Sequence, residues 1–126
     1  MSDVDLTCLK GLRVLVVEDE TLIAMTIEDG LIDAGAEVVA IATTTSEALL
    51  MIEKARPDAV TLDGNLDGEL SGPVAKRLQE LGIRHMVVTG YVDLTLSDSH
   101  LAAAPRLTKP FTSVSLQHAA ALHLCP

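Results

Sequence analysis

The chain has almost no aromatic residues: its 126 residues include one Phe, one Tyr and no Trp. Because 48% of the residues are apolar, a hydrophobic core is still available, built from Leu, Val, Ile and Ala. A chain of this length fits one domain that buries roughly two-thirds of its unfolded surface. We therefore expect a single domain over residues 11–126, preceded by a loose N-terminal lead over residues 1–10.

Basic residues are also scarce, with nine Lys and Arg against eighteen Asp and Glu and a formal net charge of −9. A nucleic-acid surface needs clustered Lys and Arg, so this charge excludes that class of partner and favours a basic or helical protein partner. No apolar run approaches the roughly 20 residues of a membrane span, and residues 1–10 do not form a signal peptide. We expect a cytoplasmic protein with no membrane contact.

Cysteine is limited to Cys8 and Cys125, which lie near opposite ends of the chain without metal-ligand spacing. We expect two free thiols in a reducing cytoplasm, with a disulfide between the chain ends as the alternative.

Five short apolar stretches alternate with segments of helical periodicity. Continuous apolar strands are typical of a parallel sheet buried on both faces. Strict βα alternation adds right-handed crossovers and helices on both faces. We predict an α/β fold, a flavodoxin-like (βα)5 doubly wound parallel sheet with strand order 2-1-3-4-5. The predicted strands β1 to β5 cover 13–17, 37–42, 59–63, 84–89 and 106–108, and the predicted helices α1 to α5 cover 20–34, 44–54, 71–82, 93–104 and 113–124.

Local signals mark the helix starts. Thr44 and Glu47 have the spacing of a capping box for α2. Ser71 is the predicted cap of α3, with Pro73 in its first turn. The segment 93–104 is rich in Thr, Ser and Asp, whose side chains compete for backbone hydrogen bonds, so we expect a frayed or mobile α4.

Carboxylates follow two strands that should be neighbours in the sheet. Glu18 and Asp19 come directly after β1, and Asp63 ends β3. Three carboxylates this close repel one another unless a cation neutralises them, and Mg²⁺ suits a site of oxygen ligands and waters. The acidic run Glu18-Asp19-Glu20 alone would be explained as a cap on the dipole of α1. Asp63 could be a solvated turn residue, but its position beside a cation suits a nucleophile toward phosphorus.

Three more polar residues lie at strand ends. Asn65 is two residues beyond Asp63 and can offer its backbone carbonyl to a metal. Thr89 ends β4 and can donate its hydroxyl to a phosphoryl oxygen, although a β-branched residue is also common at a strand end. Lys109 can neutralise another phosphoryl oxygen, and a cis bond to Pro110 would turn its ammonium inward.

Four motifs at these strand ends resemble the receiver domain of two-component response regulators. The resemblance runs from Leu12 to about Leu122, and the four motifs in this order are highly specific although each alone is weak. They are Val17-Glu18-Asp19, Leu62-Asp63-Gly64-Asn65, Val88-Thr89-Gly90-Tyr91 and Leu107-Thr108-Lys109-Pro110-Phe111.

The resemblance implies a phosphoacceptor signalling domain with self-catalysed phosphorylation and dephosphorylation rather than an enzyme. The phosphoryl donor would be a phosphohistidine of a sensor histidine kinase or a histidine phosphotransfer protein. A downstream protein would bind the α4-β5-α5 face. The implied residues are Asp63 as phosphoacceptor, Thr89 and Lys109 as ligands of the phosphoryl oxygens, and Glu18, Asp19, Asp63 and the carbonyl of Asn65 as ligands of Mg²⁺.

Two features depart from the common receiver pattern. Arg106 stands three residues before Lys109, where many receivers carry an aromatic switch residue, and Tyr91 is the candidate substitute. The loop 66–73 lacks the common Met-Pro pair and looks like the variant found in stand-alone receivers with a Thr-Gly-Tyr motif. If 126 residues is the natural length, we expect the output to pass through a partner.

Three other classes of protein remain as alternatives. A pseudo-receiver would be an interaction module that is not phosphorylated. A haloacid-dehalogenase type phosphatase also uses an Asp nucleophile with Mg²⁺. That class, however, carries an Asp-x-Asp motif after the first strand, whereas Asp63 ends the third strand. A flavodoxin-type flavin binder would need a phosphate-binding first loop, which the acidic residues 18–20 oppose.

Overall fold

Strands form where apolar residues run without interruption, and they assemble into one parallel sheet. The computed structural model describes residues 4–90 and 94–126. The sheet has the strand order β2-β1-β3-β4-β5, which confirms the predicted fold class and the order 2-1-3-4-5. The strands are β1 (Arg13–Val17), β2 (Glu37–Ala42), β3 (Ala59–Asp63), β4 (Arg84–Thr89) and β5 (Arg106–Thr108).

Helices cover both faces of the sheet. Alternate residues of β1 enter different cores: Val14 and Val16 pack with α1 and α5, whereas Leu15 and Val17 pack on the opposite face with α2, α3 and α4. This period of two follows from the pleat of a strand. The helices are α1 (Thr21–Asp33), α2 (Thr45–Ala55), α3 (Gly72–Leu81), α4 (Ser99–Ala102) and α5 (Ser113–His123).

The two predicted helix caps differ in outcome. Thr44 caps α2, its hydroxyl accepting from the amide of Glu47 at 3.1 Å, while the Glu47 carboxylate accepts from the amide of Thr43 at 3.2 Å. Ser71 lies at the N-cap position of α3 but makes no side-chain cap, so that prediction is wrong. Its hydroxyl donates instead to the carbonyl of Asp63 at 2.6 Å and holds the loop after β3.

The helix predicted over 93–104 is much shorter. A 3₁₀ turn, Leu94–Ser97, precedes the single turn of α4. The Asp98 side chain accepts from the amides of His100 and Leu101 at 2.9 and 3.0 Å. Side-chain bonding to the backbone thus delays the start of the helix, the competition that the Ser and Asp content of this segment indicated.

A small hairpin after β3 is absent from the prediction. Asn65–Leu66 pairs antiparallel with Glu69–Leu70, and the turn residues Asp67 and Gly68 have φ of 52° and 87°. Positive φ at both central residues is the requirement of a type I′ hairpin turn, for which Asp-Gly is a strong signal. The Asp67-Gly68 pair in the sequence was therefore a signal from which this hairpin could have been predicted.

The N-terminal segment is packed rather than loose from its first turn onward. Thr7–Leu9 forms a 3₁₀ turn that buries Leu9 completely. The neighbouring Cys8 is disulfide-bonded to Cys125, so the expectation of two free thiols is wrong. The turn docks beside the end of α5 and brings the two Cα atoms to 6.0 Å, a usual separation for a disulfide. The domain boundary at residue 11 stays a prediction.

Within the described residues, no helix has the length and apolar character that crossing a membrane requires.

Candidate functional site

Three acidic side chains meet where β1 and β3 end side by side. The strands are in register from Val14 beside Ala59 onward, which places Glu18 next to Asp63. Glu18 is fully buried, Asp63 is 5% exposed, and Asp19 is partly buried. One carboxylate oxygen of each lies within 4.8 Å of the others. The structure therefore brings together the three carboxylates that the sequence singled out.

Lys109 supplies one positive charge to this cluster. Its Nζ lies 3.0 Å from Oε1 of Glu18 and 3.3 Å from Oδ2 of Asp63. The peptide bond between Lys109 and Pro110 is cis, as the sequence suggested, and the Lys109 amide donates to the carbonyl of Thr89 at 2.7 Å. Three carboxylates thus share one ammonium, and the cluster is short of positive charge.

The pKa values show the cost of this arrangement. Burial, as the largest cause, and the neighbouring Asp63 carboxyl together raise the pKa of Glu18 to about 8, against the lowering effects of Lys109 and the amide of Glu20. Burial alone would lower the pKa of Lys109, but its contacts with Glu18 and Asp63 outweigh burial and raise it. In the metal-free protein, the charged form of Glu18 is therefore disfavoured.

The donor set fits a hard divalent cation. Oε1 of Glu18 is buried, and Nζ of Lys109 lies 3.0 Å from it. Because Asp63 shares that ammonium, a bound cation would add the positive charge that the carboxylates lack. Carboxylate and carbonyl oxygens are the ligands that Mg²⁺ prefers.

The loop after β3 fixes the direction of the Asp63 carboxylate. Oδ1 accepts from the amide of Asn65 at 3.1 Å, while Oδ2 faces Lys109. The Asn65 side chain accepts from the amide of Gly68 at 2.9 Å, so its amide group is used in the hairpin turn. Gly64 must lack a side chain, because a Cβ there would overlap the methyl group of Thr95.

A polar cavity opens over these groups. Its volume is about 190 Å³, well above the roughly 10–15 Å³ that one water needs, so a phosphoryl group fits. Ser71, which holds the loop, and Thr95, which lines the cavity, were not predicted as site residues, because their roles depend on how two loops pack. The lining residues are Glu20, Asp63, Asn65, Thr89, Gly90, Thr95 and Lys109.

Arg106 lies beside this cavity. It occupies the position, three residues before Lys109, where many receivers carry an aromatic residue. Its Nη2 donates to Oγ1 of Thr95 at 2.6 Å and to the carbonyl of Leu101 at 3.3 Å. Tyr91, the candidate aromatic substitute, lies outside the described residues.

The fold and the acidic edge of the sheet define a response regulator receiver domain, and the chain belongs to that family. The family model of the response regulator receiver domain matches residues 14–121. This family is a signalling domain that binds Mg²⁺ at an acidic pocket and works with kinase or phosphotransfer partners.

Solved structures of receivers are similar over most of this chain. SdrG from Sphingomonas melonis Fr1 is 40% identical with a TM-score of 0.76, over 89% of this chain and 96% of SdrG. The response regulator PhyR from Brucella abortus is 29% identical with a TM-score of 0.78, over 93% of this chain and 50% of PhyR.

A curated relative is similar over a shorter stretch. The protein-glutamate methylesterase/protein-glutamine glutaminase of Archaeoglobus fulgidus is 43% identical over 67 residues, which are 53% of this chain and 19% of that protein. The match thus spans about a fifth of the length of that relative.

Proposed function

We propose that Asp63 accepts a phosphoryl group from the phosphohistidine of a sensor histidine kinase or a histidine phosphotransfer protein, and that the modified protein signals through a protein partner. The observation that carries this proposal is the Asp63 carboxylate, held at the base of a polar cavity between the amide of Asn65 and the ammonium of Lys109. An orientated carboxylate beside a positive charge is suited to attack phosphorus.

In the proposed reaction, an Asp63 oxygen forms a bond to phosphorus as the nitrogen–phosphorus bond of the phosphohistidine breaks, and the imidazole leaves with the electron pair. Lys109 balances the negative charge on the transferring oxygens, and the Thr89 hydroxyl donates to one of them. Bound Mg²⁺ would supply further charge neutralisation and orient the phosphoryl oxygens. Its ligands would be Glu18, Asp19, Asp63 and the backbone carbonyl of Asn65.

The partner surfaces follow from the family assignment. We propose that a downstream protein binds the α4-β5-α5 face and that the protein works in the cytoplasm without binding nucleic acid, in keeping with its net charge of −9. The alternative of a pseudo-receiver is disfavoured because Glu18, Asp63 and Lys109 are all present and in contact.

Intact-mass analysis after incubation with Mg²⁺ and a small phosphoryl donor tests the proposal. Acetyl phosphate and phosphoramidate are both suitable, since phosphoramidate carries the nitrogen–phosphorus bond of the natural donor. We expect one added phosphoryl group in the wild type and in Asp58→Asn, a control at the opposite end of β3, and none in Asp63→Asn. A wild type that neither donor modifies would favour the pseudo-receiver instead.

A further inference from the structure

Arg106 connects three segments of the chain with one guanidinium group. It begins β5 and is partly buried. Its Nη2 reaches Oγ1 of Thr95 in the 3₁₀ turn at 2.6 Å and the carbonyl of Leu101 in α4 at 3.3 Å. Charge-assisted hydrogen bonds are shorter and about twice as strong as neutral ones. Arg106 therefore links β5 of the sheet to the 3₁₀ turn before α4 and to α4 itself.

Thr95 is at the same time a wall of the phosphoryl cavity. It is 2% exposed and lines that cavity with Asp63, Thr89 and Lys109. Its methyl group packs so closely on Gly64 that a Cβ there would overlap it. Because Gly64 directly follows Asp63, a displacement of Thr95 toward Gly64 would displace the acceptor loop as well.

We propose that Arg106 is a positioning residue that acts through Thr95. Its hydrogen bond fixes the cavity wall beside Asp63, and its contact with the Leu101 carbonyl carries the state of the cavity to α4. This inference rests on the proposed function, in which Asp63 is the phosphoacceptor. In this protein the Arg106–Thr95 pair thus couples the cavity to α4. Many receivers carry an aromatic switch residue at this position instead.

The physical basis is the charge that phosphorylation adds. A phosphoryl group carries about −1.5 to −2 charge near neutral pH, which replaces the single charge of the Asp63 carboxylate and extends into a cavity of about 190 Å³ that Thr95 borders. Thr95 must adjust its position or its hydrogen bonds to this group. Since a short charge-assisted bond joins Thr95 to Arg106, the guanidinium follows, and its contact with Leu101 changes with it.

The lifetime of phosphorylated Asp63 tests the positioning role. Thr95→Val removes the acceptor hydroxyl but keeps the methyl that packs on Gly64, and Arg106→Ala removes the donor. Each should let the wall move and admit water, shortening the lifetime about tenfold, the effect of losing a hydrogen bond to a charged group. The double variant should decay no faster than Arg106→Ala, because the Arg106–Thr95 hydrogen bond is already lost in each single variant.

A matched control separates this effect from the loss of any arginine. Arg84 is exposed at the start of β4, and Arg84→Ala should keep the wild-type lifetime. Wild-type lifetimes in Thr95→Val and Arg106→Ala, or multiplied effects in the double variant, would overturn the inference. Thermal unfolding of each variant confirms that the folded protein is measured.

The link to α4 has its own readout. Amide NMR spectra with Mg²⁺ and beryllofluoride, a phosphoryl mimic, should show shifts at Asn65, Lys109 and Leu101 in the wild type. In Thr95→Val the Asn65 and Lys109 shifts should remain, while the Leu101 shift should be lost. If the Leu101 shift is retained in Thr95→Val, the inference about Arg106 is overturned, while the proposed function still stands. The absence of any shift and of any phosphoryl adduct in the wild type would instead overturn the proposed function.

Discussion

The two ends of the parallel sheet treat charged side chains in opposite ways. At the amino end, where the strands begin, the side chains of Arg13 and Asp58 are paired with backbone groups. The Arg13 guanidinium donates to the carbonyls of Arg56 and Ala55 at 3.0 and 2.9 Å, and the Asp58 carboxylate accepts from the amide of Arg13 at 2.9 Å. At the carboxyl end, three acids share the single ammonium of Lys109.

The difference in pairing distinguishes a structural role from a functional one. Arg13 and Asp58 each have hydrogen-bond partners within the protein, so neither of them requires a ligand. At the carboxyl end, burial and the neighbouring Asp63 raise the pKa of Glu18 to about 8. Such unfavourable electrostatics cluster at functional sites, where a bound ion or substrate relieves them. The predictions below change one end at a time.

The largest effect on stability should come from the amino end. The bond from Cys8 to Cys125 joins residues 117 positions apart, and loss of a disulfide that closes so long a loop costs about 4 kcal/mol. Cys8→Ser should lower the free energy of unfolding by that order while leaving phosphorylation of Asp63 at the wild-type rate. Urea denaturation and intact-mass analysis measure the two effects. A variant as stable as the wild type under oxidising conditions would contradict the structural role.

Lys109→Ala should weaken both stability and chemistry, because it leaves Glu18 and Asp63 without a counter-charge. We expect a loss of about 2 kcal/mol in the free energy of unfolding, reduced by protonation of Glu18, and slow phosphorylation even with Mg²⁺. Arg13→Ala is the matched variant at the other end, with a loss of about 1 kcal/mol and unchanged phosphorylation. Equal phosphorylation rates in the two variants would remove Lys109 from the site.

Replacing an acid by its amide should have opposite signs at the two ends. Asp63→Asn removes one of the repelling charges and should raise the stability of the metal-free protein by about 1 kcal/mol. Asp58→Asn weakens the acceptor for the Arg13 amide and should lower stability by about 1 kcal/mol. Denaturant titration without Mg²⁺ gives both values. If both variants lose stability, repulsion among the acids at the carboxyl end does not destabilise the folded protein.

A further prediction concerns the dependence of stability on pH. The pKa of Glu18 is about 8 in the folded protein, against an ordinary value of 4.5. The folded state therefore binds this proton more tightly than the unfolded chain. The stabilisation is complete below about pH 4.5 and is lost as the pH rises toward 8. Without Mg²⁺, the free energy of unfolding should fall more between pH 5 and 8 in the wild type than in Glu18→Gln. Parallel pH profiles would show that Glu18 titrates normally.

The sequence predicted the sheet and the site for one shared reason. Each strand is a continuous apolar run that stops at a polar residue, and parallel strands align such stops at one edge. Glu18, Asp63 and Lys109 could therefore be placed together without coordinates. The hairpin also had a signal in Asp67-Gly68.

The remaining features depend on contacts between distant segments. The hydrogen bond from Ser71 to Asp63, the packing of Thr95 on Gly64 and the disulfide of Cys8 each require knowing how two loops or termini approach. Local propensity contains no such information, which is why Ser71 was predicted as a helix cap and Cys8 as a free thiol.

The most direct test of the central claim is a calorimetric titration with Mg²⁺ at neutral pH. The claim is that the acids at the carboxyl end form a divalent cation site and those at the amino end do not. The wild type and Asp58→Asn should bind one Mg²⁺ with the same affinity, and Asp19→Asn and Asp63→Asn should bind it at least about tenfold more weakly, since each removes a charged oxygen ligand. Equal affinity in all four proteins, or no binding to the wild type, would contradict the account.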